Sequence, residues 1–186
     1  SALVVSMVAG CSSSKTETKD ETKTEKTETT GTVYNVCNLV NGNLGDKSFF
    51  DSAEAGLKTL QDDGRITYTT IEMGGSSEDQ AKWQSYLEEV SGEYDIIICG
   101  TYQMPDYLKA VAEAYPDQKY IIYDDTSYAQ DNVLHISYKQ NDLGFIIGTL
   151  AAALTTDTSF EGINEGKVVG FVGGVDSPVI NDFLYG

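Results

Sequence analysis

From residue 32 onward, short apolar runs alternate with stretches whose apolar residues recur at helical spacing. Runs such as DIIIC and YIIY are continuously apolar, which is typical of strands buried on both faces of a parallel sheet. Strands are predicted at 32–40, 66–73, 94–100, 119–124, 132–138 and 167–174. Helices are predicted between most of them, near 48–61, 78–91, 105–115 and 142–155. Alternating βα units predict an α/β fold with a doubly wound parallel sheet and right-handed crossovers.

The ends of the predicted strands indicate where a ligand would bind, because open α/β sheets bind ligands outside the carboxyl ends of their strands. The corresponding loops are 41–47, 74–77, 101–104, 124–131 and 173–178. In the last of them, GGVDSP could let backbone approach an anion at a helix start. A tight turn into a helix is the favoured interpretation.

Capping residues support the predicted helix starts. Ser48 with Asp51 three residues later, and Ser77 with Gln80, are typical of N-caps with their partners. Pro105 fits the first position of the third helix. The second helix carries a core stripe at helical spacing, formed by Trp83, Tyr86, Leu87 and Val90.

The first residues, SALVVSMVAGCSSSK, form an apolar run of about ten residues, too short to span a bilayer of roughly 30 Å. The run fits the end of a secretory signal with small residues at its cleavage point, and VAGC resembles a lipobox in which Cys11 is acylated. A chance cluster of small residues is the alternative. Residues 12–31 are Thr, Lys, Glu and Ser almost throughout and contain no apolar residue, which predicts a disordered tether.

The chain is strongly acidic, with 12 basic and 29 acidic residues and a net charge of −17. Without the tether's four Lys and five acidic residues, 8 basic and 24 acidic residues remain, a net charge of −16. Nucleic-acid binding is therefore not expected, because it needs Lys and Arg to neutralise phosphates.

The cysteine and histidine residues do not have the spacing of a metal site or of a catalytic nucleophile with its base. Cys37 and Cys99 lie in predicted buried strands, where free cysteine is a common small core residue, and a disulfide between them is the minor alternative. The single histidine, His135, lies in a predicted strand, and no Cys/His cluster has metal-ligand spacing. No metal and no cofactor are expected.

The two adjacent phenylalanines at the start of the first helix have different predicted environments. Phe50 begins an apolar face that continues through Ala53, Leu57 and Leu60. Phe49 lies about 100° away around the helix, beside the loop that follows the first strand. Its ring could offer a face to a planar ligand, or it could fill a gap against a neighbouring loop. The residues alone do not favour either of these two possibilities.

Four sequence blocks, in this order along the chain, are similar to blocks of a known protein family: GDKSFFDSAEAGL, AVAEAYPDQKYIIYDD, NDLGFIIGTLAAAL and VVGFVGGVDSPVINDF. Together they resemble the basic membrane protein, or PnrA-like, family over about 145 residues. The resemblance implies a type I periplasmic-binding fold and a lipid-anchored substrate-binding protein of an ABC importer. Characterised members of that family bind purine nucleosides.

The resemblance also implies roles for individual residues. Phe49 would stack on the base, and Asp124 would contact the nucleoside, although by itself Asp124 could be a turn residue. At the end of the first strand the family usually carries an Asp that reads hydrogen-bond donors on the base, and Asn41 would read the base edge from that position in this chain. An amide both donates and accepts, whereas an ionised carboxylate only accepts, so the ligand preference could differ. Ser48 and the Thr101–Tyr102 pair are further candidates for ligand contacts.

Enzyme motifs do not occur. GNLGDKS matches neither the P-loop nor the dinucleotide fingerprint, and GGSSEDQ does not match the nucleophile elbow. An enzyme is therefore not expected.

The expected organisation is a signal end at 1–11, a tether at 12–31, a first lobe at 32–138, and a hinge crossing and the start of a second lobe at 139–186. The absence of an initiator Met and the closing PVINDFLYG suggest a fragment of a longer chain, with the second lobe truncated. We expect a monomeric lipoprotein at the outer face of the cell membrane that delivers a solute to an ABC permease. A sugar-binding protein of the same fold and an interaction lipoprotein with a vestigial cleft are the alternatives.

Overall fold

The computed structural model describes residues 31–157, 159 and 166–186. Its strands are β1 (Tyr34–Val40), β2 (Ile66–Glu72), β3 (Ile96–Gly100), β4 (Lys119–Tyr123) and β5 (Val133–Ile136). Its helices are α1 (Phe49–Asp62), α2 (Ser77–Val90), α3 (Pro105–Ala114), α4 (Gln140–Leu154) and α5 (Pro178–Tyr185). The signal end with Cys11 and all but the last residue of the 12–31 tether lie outside the described residues.

The five strands form one parallel sheet in the order β2-β1-β3-β4-β5. The order reverses between β1 and β3, as a doubly wound sheet requires, so the predicted α/β class is confirmed. All carboxyl ends of the strands therefore lie along one edge, and the loops that follow them meet there.

The face of the sheet covered by α2 and α3 holds the larger core. Trp83, Leu87 and Leu108 are completely buried there, against Ile97 and Ile122 of the central strands. The indole N–H of Trp83 donates to the Gly74 carbonyl at 3.0 Å, so the one polar atom of this side chain is also satisfied. The predicted core stripe of the second helix is confirmed.

On the opposite face, α1 packs against β1 and β2 with a mixture of apolar and polar contacts. Leu57 is buried against Val36 and Ile66. Beside them Glu54 accepts hydrogen bonds from the Tyr68 hydroxyl at 2.9 Å and the Thr70 hydroxyl at 2.6 Å. Helix α1 is thus held to the sheet by hydrogen bonds as well as by burial, which the apolar pattern did not predict.

Two predicted caps differ from the observed ones. Helix α2 begins one residue early, so its N-cap is Ser76, whose hydroxyl accepts from the Asp79 backbone N–H at 3.2 Å and completes a capping box. Ser48 precedes α1, but its side chain makes no capping hydrogen bond. The carboxylate of Asp46 caps α1 instead and accepts from the backbone N–H groups of Phe50 and Asp51 at 3.0 and 3.1 Å. Pro105 occupies the first turn of α3, as predicted.

The predicted strand at 167–174 is wrong for the described structure, because these residues adopt no strand and are exposed. A strand forms only beside a neighbour that accepts and donates its backbone hydrogen bonds. The strands of the described sheet all precede α4, and this stretch does not join them.

Cys37 and Cys99 are both buried and free, so the described structure holds no disulfide between them. Burial raises the pKa of Cys37 to about 11, and burial with the nearby Asp125 charge raises the pKa of Cys99 to about 12. Both thiols are therefore protonated at neutral pH and act as small core residues. Within the described part of the chain, no helix has the length and apolarity needed to cross a membrane.

Candidate functional site

Two adjoining cavities reach the carboxyl edge of the sheet, and the first extends from there along the face of the sheet beside α1, over Ile98 and Ile121. The first has a volume of about 860 Å³ and includes Phe49, Tyr123 and Tyr138 in its lining. The second has a volume of about 660 Å³ and is lined largely by polar residues, with Tyr102 on one wall. Asp124, Tyr138, Gln140 and Val179 line both cavities, so the two adjoin at these residues, and together they are called the cleft below.

Three aromatic rings form one wall of the first cavity. The Phe49 ring is 38% exposed and lies 5.7 Å from the Tyr123 ring, centroid to centroid, at an interplanar angle of 32°. Tyr138 meets Phe49 edge-on at 6.2 Å.

Phe50, in contrast, is half-buried and packs against the loop after β1, where an added Cβ on Gly42 would come within 2.5 Å of its ring. It belongs to neither core cluster, so its predicted place as the first core residue of the face through Ala53, Leu57 and Leu60 is wrong. Phe49 lines the first cavity together with those three residues.

Asp124 follows β4 and is only 8% exposed. Burial raises the pKa of its carboxyl group, and the neighbouring Asp125 charge adds to the rise, while the hydrogen bond from Gln140 acts in the opposite direction. That bond runs from Gln140 Nε2 to Asp124 Oδ1 at 3.2 Å, from the first residue of α4. The carboxyl group is therefore oriented by a residue of α4, which follows β5 in the chain.

The backbone at this edge has an unusual conformation at two adjacent strand ends. Thr101 after β3 and Asp124 after β4 have positive φ values of 72° and 61°. Each continues its strand's ladder by one hydrogen bond, from Thr101 N–H to the Tyr123 carbonyl at 3.0 Å and from Asp124 N–H to the Ile136 carbonyl at 2.8 Å. Non-glycine residues in such conformations store strain and occur preferentially at ligand sites.

Asn41 lies deeper than the other predicted site residues. It is 4% exposed and lines neither cavity. Its Nδ2 donates to the Thr101 hydroxyl at 2.7 Å, which ties the loop after β1 to the loop after β3. Its Oδ1 is buried and has no hydrogen-bond partner among the described residues. The structure thus places Asn41 behind the cleft wall, whereas Ser48 and Phe49 line the first cavity and Tyr102 the second.

Sequence reasoning missed Tyr123, Tyr138 and Gln140. A signal for Tyr123 was available, because alternation along β4 places it on the same face as Ile121, towards α1. Gln140 gave no local signal, since a polar residue at a helix start is ordinary, and only the tertiary contact with Asp124 distinguishes it.

Gly100, the last residue of β3, allows the Tyr123 ring to occupy its place in the aromatic wall. A Cβ at this position would lie 2.1 Å from Cε2 of that ring. We therefore expect Gly100→Ala to lower the free energy of unfolding by about 1–3 kcal/mol, the usual cost of overpacking, and to displace Tyr123. Thermal or denaturant unfolding measures the change. Gly170→Ala is a control for the loss of a glycine, because no atom lies within 4 Å of an added Cβ there and its φ is not positive. Equal losses at the two positions would contradict a specific contact with Tyr123.

The described residues contain no group of three or more His, Cys, Asp or Glu side chains that could hold a metal ion. The first cavity is lined mainly by aliphatic and aromatic side chains, and the second by hydroxyls, amides and carboxylates.

Comparison with known proteins shows to which family this chain belongs. A family model described as ABC transporter substrate-binding protein PnrA-like matches residues 33–186. The chain belongs to the PnrA-like family. The resemblance drawn from the four sequence blocks is thereby confirmed, and so is membership of a substrate-binding family of ABC transporters.

Relatives of this PnrA-like chain include named lipoproteins. An uncharacterized lipoprotein of Pyrococcus abyssi is 30% identical over 187 aligned positions, which cover 99% of this chain and 42% of the relative. The CD4+ T-cell-stimulating antigen of Listeria monocytogenes is 32% identical over 151 positions, 78% of this chain and 39% of the relative. Basic membrane protein A of Borreliella burgdorferi is 28% identical over 156 positions, 80% of this chain and 41% of the relative.

A solved structure has the same fold. The crystal structure of an ABC transporter solute-binding protein from Aeropyrum pernix K1 superimposes with a TM-score of 0.65 at 28% identity, over 80% of this chain and 40% of that one. The chain therefore spans about two fifths of the length of the proteins it matches.

Proposed function

We propose that this PnrA-like chain belongs to an extracytoplasmic lipoprotein that captures a purine nucleoside between two lobes and delivers it to an ABC permease. The observation that carries the proposal is the shared cavity of Phe49 and Asp124, which combines an exposed aromatic ring with a buried carboxylate. A nucleoside has the matching parts, a flat base and a ribose with hydroxyl donors.

In the proposed complex each residue has a role that suits its position. Phe49 stacks on the base, and Asp124, oriented by Gln140, accepts hydrogen bonds from ribose hydroxyls or from the base. Ser48 and Tyr102 add hydroxyl contacts from the two cavities. Direct recognition of the base edge by Asn41 stays a prediction. The observed bond from Asn41 to Thr101 supports a positioning role for its amide.

The lobe organisation is part of the same proposal. Residues 32–138 form the first lobe, the chain crosses at 139–141, and α4 and α5 begin a second lobe that closes over the ligand. Gln140 and the α5 residue Val179 line the cleft together with first-lobe residues, which supports a site between lobes. Acylation of Cys11, followed by the 12–31 tether, would hold the protein at the outer face of the membrane as a monomer.

Isothermal titration calorimetry of the full-length protein tests the ligand class. Guanosine, inosine, adenosine and ribose are titrated separately, and the nucleosides are expected to bind more tightly than ribose because only they present a base to Phe49. Binding of ribose alone would overturn the nucleoside assignment and favour a sugar-binding protein of the same fold. Turnover of a nucleoside during the titration would instead indicate an enzyme.

A further inference from the structure

We propose that Asp46 is a positioning residue of the cleft, whose carboxylate holds the loop after β1 so that the Phe49 ring keeps its place in the wall of the first cavity. The inference rests on the proposed function for the role of Phe49 as a stacking ring, and it adds how that ring is held before a solute binds. Asp46 lines neither cavity, so it acts on the solute only through its neighbours in the chain.

The loop after β1 has neither regular structure nor much burial to fix its conformation. Residues 43–48 form no helix or strand, and from position 43 to 49 every residue is exposed apart from the half-buried Leu44. The conformation also stores strain, because Lys47 has a positive φ of 54°. Hydrogen bonds must therefore hold the loop where burial does not.

Asp46 provides three of these hydrogen bonds, and their donors lie on both sides of Phe49. Its Oδ1 accepts from the backbone N–H groups of Ser48 at 3.0 Å and Asp51 at 3.1 Å, and its Oδ2 accepts from that of Phe50 at 3.0 Å. These bonds, above all the one from Ser48, lower the pKa of Asp46, so its side chain is ionised at neutral pH. Hydrogen bonds to an ionised acceptor are stronger than neutral ones, so the backbone before and after the ring is firmly held.

Two further carboxylates hold the first half of the loop. Asp51 accepts from the backbone N–H groups of Gly45 at 2.7 Å and Lys47 at 2.8 Å. Glu72, the last residue of β2, accepts from the Leu44 backbone N–H at 2.8 Å. The loop is therefore tied both to the first turn of α1 and to the neighbouring strand.

The place of the Phe49 ring depends on this loop because its own contacts do not enclose it. The ring meets those of Tyr123 and Tyr138 and stays 38% exposed. If the loop adopts other conformations, a solute binds only the fraction of molecules whose ring is in place, and the apparent affinity falls by that fraction. From the usual effect of losing a capping side chain, we expect Asp46→Ala to weaken guanosine binding by about 3- to 10-fold.

Calorimetry with guanosine on the full-length protein tests whether Asp46 acts through Phe49. Asp46→Ala should weaken binding in the unchanged protein but change it less than about twofold in the Phe49→Ala background. Asp46→Asn should lose less affinity, because its amide oxygen can still accept from Ser48 and Asp51, and it repeats the comparison if the alanine variant does not fold. Equal losses in the two backgrounds, or no loss in either, would overturn the inference and leave the nucleoside assignment intact.

Asp79→Ala is the matched control, because Asp79 holds the start of α2 in a similar way. Its Oδ2 accepts from the Ser76 backbone N–H at 3.1 Å and from the Ser76 hydroxyl at 2.7 Å, and neither residue lines either cavity. The control removes the same charge and should lower Tm to a similar extent while leaving the affinity for guanosine unchanged. A loss of affinity as large as that of Asp46→Ala would indicate a general effect of a missing cap and would contradict a positioning role.

A measurement without a ligand separates failure of this inference from failure of the proposed function. The full-length protein is labelled with para-fluorophenylalanine, and the fluorine NMR signal of Phe49 is assigned by its loss in Phe49→Leu. Asp46→Ala should move this signal towards that of a freely exposed ring, and Asp79→Ala should leave it in place. An unmoved signal in Asp46→Ala would overturn the inference. A moved signal, together with no binding of nucleosides to the unchanged protein, would uphold the inference and reject the proposed function.

Discussion

Replacing Phe49 with alanine is expected to weaken nucleoside binding by about 5- to 150-fold, because stacking of an aromatic side chain on a base contributes about 1–3 kcal/mol. The ring is 38% exposed and borders a cavity, so its removal should change the free energy of unfolding little compared with the change in binding. Calorimetric titration of the full-length variant with guanosine measures the affinity, and thermal unfolding of the same sample measures the stability.

Two variants serve as controls for this result. Tyr34→Ala removes a similarly exposed aromatic ring, 43% exposed, from the amino end of β1 and should leave the affinity unchanged. Phe49→Tyr keeps a stacking face and should retain most of the binding. If Phe49→Ala binds guanosine like the unchanged protein, the aromatic wall is a packing feature and the proposed site is wrong.

Replacing Asp124 with asparagine is expected to separate affinity from stability. A hydrogen bond to a charged acceptor is worth about 1.5–3 kcal/mol, so loss of the charge should weaken nucleoside binding by about 10- to 150-fold. Asparagine has nearly the same shape, and its amide oxygen can still accept from Gln140, so the local structure should persist. Calorimetry with guanosine measures the loss, and Asp131→Asn, exposed before β5, is the charge-matched control.

The same variant, Asp124→Asn, also tests how the free energy of unfolding depends on pH. Burial raises the pKa of Asp124 in the folded state above its ordinary value of 3.8. A carboxyl with a raised folded pKa binds its proton more tightly when folded, so its contribution to stability is present at low pH and is lost as pH rises through that pKa. Asp124→Asn removes this loss, so the variant should gain stability relative to the unchanged protein as pH rises from 4 to 7. Unfolding curves of both proteins across that range test the sign. A variant that loses stability relative to the unchanged protein as pH rises would contradict the prediction.

Local patterns predicted the larger part of the fold. The alternation of apolar runs and helical stretches yielded the five described strands and the first four helices within about two residues at most of their ends. These strand and helix positions are encoded within a few residues of the chain. Helical phase placed the two phenylalanines on different sides of α1 but assigned the core position to Phe50. In the structure Phe50 packs on the loop after β1, and Phe49 contacts Tyr123 of the sheet.

Two further predictions were wrong because each depends on contacts that the local sequence pattern does not specify. The stretch 167–174 has the composition of a strand, but a strand also needs a hydrogen-bonded neighbour. Ser76 replaced Ser77 as the N-cap of α2 because two adjacent serines satisfy the same local rule, and the fit of the carboxylate of Asp79 decides between them.

The sequence by itself determined the α/β class and the order of the strands and helices along the chain. Tertiary structure alone brought Gln140 to Asp124 and joined Asn41 to Thr101, pairs that are far apart in the chain. Periodicity records which side of an element is apolar, whereas the meeting of distant side chains depends on the order of the strands and the paths of the loops between them.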